Sequence, residues 1–246
     1  MPRSELKVEI LRNTLDSELV VALAAKLCYA GGDLDSLREK IEKKDQEKFI
    51  RQLTEMGHLS VLEHASFTFL VEGVSRSLLA QLTRHRIASF SVQSQRYVSY
   101  DGGFSYVVPP AIEALGAEAV EEYEREMAEM QSWYLAWQEK LGGKGEKANE
   151  DARFVLPNAC TTRLMVTMNV RELLHFFALR SCSRAQWEIR ALARKMLAEC
   201  YAVCPALFEN AGPDCVRGKC SEGAKTCGRA AETRAEIAAL KMGKAD

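Results

Sequence analysis

Apolar side chains recur with a helix-like pattern over residues 17–29, in the run Ser17-Glu18-Leu19-Val20-Val21-Ala22-Leu23, which stops at Gly31-Gly32. A second helical pattern carries Phe49, Leu53 and Met56 and closes at Gly57. Ala65 to Glu72 is short and β-favouring and predicts a buried strand. A helix is then expected from about Ser75 to His85, with Gln81 and His85 four residues apart on one face and Arg84 beside them. The stretch Ala88 to Arg96 has no helical period and is rich in hydroxyl and amide side chains, so it reads as an ordered loop offering many donors.

Between Ala111 and Leu141 an acidic helix presents Tyr123, Met127, Met130, Tyr134 and Trp137 as an apolar stripe, broken by Gly142-Gly143. Thr161 to Met168 is β-branched and predicts a strand. Asn169 with Glu172, and Ser183 with Gln186, fit capping boxes for two further helices that abut near Arg180. The last predicted helix carries Ile189, Leu192, Met196, Leu197 and Cys200 on one stripe. A single α+β domain is expected over 1–208, with helices around a mainly antiparallel sheet. Residues 209–246 read as a Cys/Gly-rich extension with a short charged tail.

Composition narrows the partners. With 47% apolar residues the chain can bury a substantial core. Its 33 Lys plus Arg nearly balance 34 Asp plus Glu, so no global excess points to nucleic acid or an anionic membrane. A phosphate-bearing ligand would need a local cluster. Residues 1–7 carry acids and lack the apolar core of a signal peptide, and no stretch is long enough to span a membrane, so a cytoplasmic protein is expected. The eight cysteines then read as reduced thiols. Cys200, Cys204, Cys215, Cys220 and Cys227 crowd the end with three, ten, four and six intervening residues, not a paired Cys-x-x-Cys ribbon, and no metal is expected.

Arg84-His85-Arg86 sets three potential cations at a helix end. Such a triplet can offset the helix dipole or hold a phosphate, and in isolation both readings stand. The spacing beyond it is more specific: seven residues separate Arg86 from Ser94, with Arg96 just after. This segment resembles the Arg-His-Arg, seven residues, Ser signature of the flavin-dependent thymidylate synthases. Gly57-His58-Leu59-Ser60-Val61-Leu62-Glu63-His64 resembles an upstream block of that family, and Asn169, Arg171, His175 and Arg180 resemble a downstream one. Arg153, before Val155-Leu156-Pro157, resembles a further nucleotide-binding arginine. The likeness runs from about residue 17 to about residue 208.

That resemblance implies the family's α+β fold and a reaction: methylation of dUMP to dTMP with methylenetetrahydrofolate as donor and hydride from reduced FAD. NADPH would regenerate the flavin, and tetrahydrofolate would leave. It implies FAD contacts at Ser60, Arg84, His85, Arg86, Asn169, Arg171 and His175. It implies dUMP contacts at Gln81, Leu82, Thr83, Arg84, Val92, Gln93, Ser94, Gln95, Arg96 and Arg153, partly through backbone because Leu82 and Val92 offer nothing polar. Family members often carry a polar or acidic residue where Val92 stands. Arg180 matches the arginine that activates the uracil, and a guanidinium at the N3 edge would stabilise negative charge there and make C5 more nucleophilic. Ser94 has no evident base nearby and reads as a binder of substrate. The family implies a homotetramer with shared active sites.

The residues' own chemistry agrees in outline. Arg171 and His175 are four apart on one helical face, and Asn169 suits either a cap or an amide contact. In isolation His175, between Leu174 and Phe176, would be a hydrogen-bonded core histidine, and Arg180 a helix-end salt bridge. Two competing classes are weighed. A cysteine-nucleophile thymidylate synthase would have only Cys204-Pro205 to offer. A nucleotide- or RNA-binding protein lacks the aromatic-interleaved basic stripe such a role uses.

Overall fold

Strand formation follows the alternation of side chains. In Ser66–Ser75 the residues Phe67, Phe69 and Val71 are buried, while those between them are half-exposed. In Thr161–Asn169 the alternate set Thr162, Leu164, Val166 and Met168 is buried. A period of two with one covered face is what a packed sheet requires.

The computed structural model describes residues 1–243. In chain order it runs β1 (Lys7–Asn13), α1 (Ser17–Leu27), α2 (Leu34–Glu42), α3 (Gln46–Glu55), a 3-10 helix (Leu59–His64), β2 (Ser66–Ser75), α4 (Arg76–Leu82) and β3 (Ala88–Val92). It continues with α5 (Pro110–Glu113), α6 (Ala117–Lys140), α7 (Glu146–Ala152), β4 (Thr161–Asn169), α8 (Val170–Arg180) and α9 (Trp187–Val203). The chain closes with α10 (Pro205–Phe208), α11 (Asp214–Arg217) and α12 (Ala230–Lys241). The strands form one antiparallel sheet in the order β1-β2-β4-β3, so the fold is α+β as the sequence predicts.

Two compact units divide the chain. The first holds residues 1–7, 70–84 and 90–165; the second holds 8–69, 85–89 and 166–246. In the first, Phe104, Tyr106, Met127 and Cys160 form a core against which Tyr123, Met130 and Leu156 pack. The predicted stripe on α6 holds except at Trp137, which is 46% exposed. Gly73 is a tight point: at φ +76° its missing side chain makes room for the carbonyl oxygen of Glu5, which an added Cβ would meet at 2.0 Å. Gly73→Ala is therefore expected to destabilise the protein by about 2 kcal/mol, read as a fall of roughly 4–8 °C in the thermal midpoint. An unchanged melt would show that this backbone can yield.

The second unit is built on aromatic rings. Phe67 meets Phe208 edge-on at 5.4 Å between centroids, Phe208 meets Phe177 at 6.0 Å, and Phe177 meets Phe176 at 5.8 Å. Such pairs stabilise beyond the area they bury. They fix α8 and α10 against β2, and α9 packs on both helices with Ile189, Leu192, Met196, Leu197 and Cys200 all buried as expected.

Several local expectations are corrected. The segment from Ala88, read as a loop, begins as strand β3: Ala88, Phe90 and Val92 are half-buried while Ser89 and Ser91 are exposed. As an edge strand with hydroxyls on its outer face it carries little apolar signal. The helix before it ends at Leu82, not His85. The Thr83 hydroxyl donates back to Leu79 O, and the triplet Arg84-His85-Arg86 lies beyond the helix. Gln81 and His85 therefore do not share a helical face. Ser183 does not cap α9; Gln186 does, its Oε1 accepting from the backbone N–H groups of Glu188 and Ile189. The tail contains helix α12, and residues 244–246 lie outside the described residues.

Candidate functional site

In the first unit the loop after β3 is fixed from both sides. The Ser94 hydroxyl accepts from the Arg96 backbone N–H at 3.1 Å, and Asn149 Nδ2 donates to the Arg96 carbonyl at 2.9 Å. Asn149 is itself buried and held, its Oδ1 accepting from Gln138 Nε2 at 2.6 Å and from the Tyr134 hydroxyl at 3.2 Å. A satisfied buried network of this kind rigidifies what it touches.

The Arg96 guanidinium reaches α7, where it pairs with Glu146 and, at 3.1 Å from Nε, with Glu150. That second contact is close but not aligned as a hydrogen bond, so Nε is buried without a directed acceptor. Glu146, Glu150 and Arg153 follow one another at helical spacing along one face of α7 and its continuation. The loop arginine and the helix-end arginine thus flank the same acids.

The other predicted dUMP contacts in this unit differ in what they can offer. Leu82 is fully buried, and Gln95 is buried with Nε2 directed 3.7 Å from Cys160 Sγ, so both could reach a ligand only through backbone. Thr83 spends its hydroxyl inside the helix, whereas Gln81, Val92 and Gln93 are half-exposed and Arg84 is exposed.

In the second unit, Asn169, Arg171 and His175 line one cleft of about 650 Å³, together with Leu59, Ile87, Leu174, Ala178 and Leu179. Position follows from α8: Asn169 caps it, Oδ1 accepting from Glu172 N at 2.9 Å, which leaves the amide NH2 as the donating end. Arg171 and His175 sit one turn apart on its exposed side, Arg171 paired with Glu63 at 2.5 Å. His175 is therefore not a core histidine. Ser60 and Arg86 are exposed but do not line the cleft; their neighbours Leu59 and Ile87 do.

His85 is the buried centre of this unit. Its Nδ1 lies 2.8 Å from Glu172 Oε1, and its Nε2 accepts from Arg180 Nε at 3.1 Å. Burial lowers its pKa, against the opposing pull of the Glu172 carboxylate, so the neutral ring is favoured. Both ring nitrogens are engaged within the chain. Arg180, the last residue of α8, makes no ion pair among the described residues, so the helix-end salt bridge is not found.

Sequence reasoning missed Glu63, Glu172, Asp214 and Arg217 as cleft residues. Glu172 was legible only as a cap partner, and the α11 pair falls in the Cys/Gly-rich extension. All eight cysteines are free thiols. Cys182, Cys215 and Cys220 line a cavity of about 270 Å³, yet among the described residues no three His, Cys, Asp or Glu side chains could share a metal ion. Burial pushes the Cys204 thiol well above its ordinary pKa, the wrong direction for a nucleophile. Among the described residues no helix is long and apolar enough to cross a membrane.

Donor-rich side chains around one cleft, with the Arg180 guanidinium bound to His85 at the end of the helix that walls it and lining the neighbouring cavity, give this α+β frame a site whose chemistry suits an anionic ligand. Known proteins make the assignment closer. The profile of the family described as thymidylate synthase complementing protein matches residues 9–206. A flavin-dependent thymidylate synthase of Geobacter sulfurreducens is 52% identical over 230 residues, covering 93% of this chain and 97% of that one. Those of Nitratidesulfovibrio vulgaris and Clostridium tetani are 50% identical over 240 residues and 46% over 239, each across 93% of this chain and 97% and 96% of theirs. The chain belongs to the flavin-dependent thymidylate synthase family.

Proposed function

We propose that the protein converts dUMP to dTMP by reductive methylation, with methylenetetrahydrofolate as one-carbon donor and tetrahydrofolate as the released product. Thymidylate synthesis with a flavin follows from the family; the donors and residue roles are our reading. The observation that carries it is the cleft wall of Asn169, Arg171 and His175 on one side of α8. Its chemistry fits FAD: an amide NH2 and an imidazole suit the ring edge, a guanidinium suits the pyrophosphate, and Leu59, Ile87 and Leu174 supply apolar surface. The flavin, when bound, supplies the hydride, drawn in turn from NADPH.

Asn169, Arg171 and His175 would hold FAD, with Ser60, Arg84 and Arg86 as further contacts and His85 contributing through backbone, since its ring nitrogens are engaged. Arg96 and Arg153 would take the dUMP phosphate with the Ser94 hydroxyl. The Gln81–Arg84 and Val92–Gln95 segments would hold the nucleoside, Leu82 and Gln95 through backbone. Arg180 would face the uracil and stabilise negative charge as N3 loses its proton, raising electron density at C5.

We further propose a cytoplasmic homotetramer with shared active sites and a catalytic body ending near residue 208. Purified protein should be yellow with FAD absorption and form dTMP from dUMP only when NADPH and methylenetetrahydrofolate are both present. Colourless protein that FAD cannot reconstitute would sink the reading, and a monomer in sedimentation would sink the tetramer.

A further inference from the structure

Glu172, Phe176 and Arg180 are successive residues on one face of α8, each a turn from the next. Along that face lies the ring of His85, edge-on to Phe176 with centroids 5.0 Å apart. The two charged side chains reach in from either end, Glu172 Oε1 to Nδ1 at 2.8 Å and Arg180 Nε to Nε2 at 3.1 Å. Glu172 and His85 are both buried.

The chemistry of the two contacts fixes the proton. Arg180 Nε can only donate, so Nε2 must present its lone pair, and the ring proton must stand on Nδ1, where the carboxylate accepts it. The opposite tautomer would set one N–H against another. Burial, which favours the neutral ring, keeps that lone pair available. A guanidinium held by a directed bond at Nε has its plane fixed, and its two terminal nitrogens form the edge left for a ligand.

We propose that Glu172 is a positioning residue of the reaction: by holding His85 as its Nδ1–H tautomer it sets the plane of the Arg180 guanidinium against the uracil. This rests on the reading of Arg180 as the group that faces the substrate. The carboxylate oxygen Oε1 is spent on His85 Nδ1. It acts through the ring, which cannot rotate without losing Phe176 and both hydrogen bonds.

The test compares Glu172→Leu, Glu172→Asp and Arg180→Ala as flavin-loaded holoenzymes, following tritium release from C5-labelled dUMP per bound flavin. Glu172→Leu should lower kcat on the order of 10- to 100-fold, the scale of a misaligned catalytic group, with KM for dUMP within about threefold of wild type. Glu172→Asp should recover part of the loss. Histidine 15N spectra should show His85 as the Nδ1–H tautomer in the wild type and lose that signature in Glu172→Leu, a readout that a packing role would leave unmoved. Unchanged kcat in Glu172→Leu with a large loss in Arg180→Ala would overturn the inference alone, as would an Nε2–H wild-type ring. Full activity in Arg180→Ala would instead overturn the underlying reading.

Discussion

Arg180→Ala should lower tritium release from C5-labelled dUMP by on the order of 100- to 1000-fold while the protein keeps its flavin. That is the scale on which losing one preorganised donor to developing negative charge slows a reaction. The residue is placed for such an effect: it ends α8 and its Nε is anchored on His85 at 3.1 Å. Arg180→Lys should regain little, because an ammonium has no plane to align and no Nε to anchor. Flavin absorbance reports whether the cleft is intact. A loss below about tenfold per bound flavin would remove Arg180 from the chemistry.

Arg96→Ala should raise KM for dUMP by on the order of 100-fold and change kcat far less, as expected when a charge-assisted contact to a non-reacting phosphate is deleted. The same variant should handle deoxyuridine much as the wild type does, since the lost contact belongs to the phosphate. Steady-state kinetics on both substrates check this. Equal losses on the two would assign Arg96 to holding the loop instead. The structure separates those roles, because the Ser94 turn and the Asn149 network grip the backbone of residue 96 and leave the guanidinium to Glu146 and Glu150.

What the sequence made legible depends on the range of the forces involved. Helices α1, α3 and α9 were readable from apolar periodicity and strands β2 and β4 from β-favouring composition, because both signals are local. The Asn169 cap was readable for the same reason. Strand β3 was not: its partner β4 lies some seventy residues later, and the backbone bond from Gln93 N to Arg163 O at 3.0 Å carries that pairing just past its end. The end of α4 was also misplaced, since Thr83 hydrogen-bonds inward and stops a pattern that apolar spacing alone would continue.

Motif spacing singled out the arginines and Asn169 as candidates, but not which of their atoms are spare. His85 looked like one cation among three, yet a partner in α8 at each nitrogen makes it an interior neutral ring. Glu172 was legible only as a cap partner and Arg217 not at all; their place in the cleft comes from what the fold brings together.

The α11 residues in the cleft have one further consequence. The family profile ends at residue 206, but Asp214 and Arg217 help wall the cleft that Asn169, Arg171 and His175 line. One side of the cavity is thus drawn from residues the family profile matches, and the other from a short helix beyond its end. Substitutions at Asp214 or Arg217 would therefore change the charge lining the cleft without disturbing a strand, the Asn169 cap or α8.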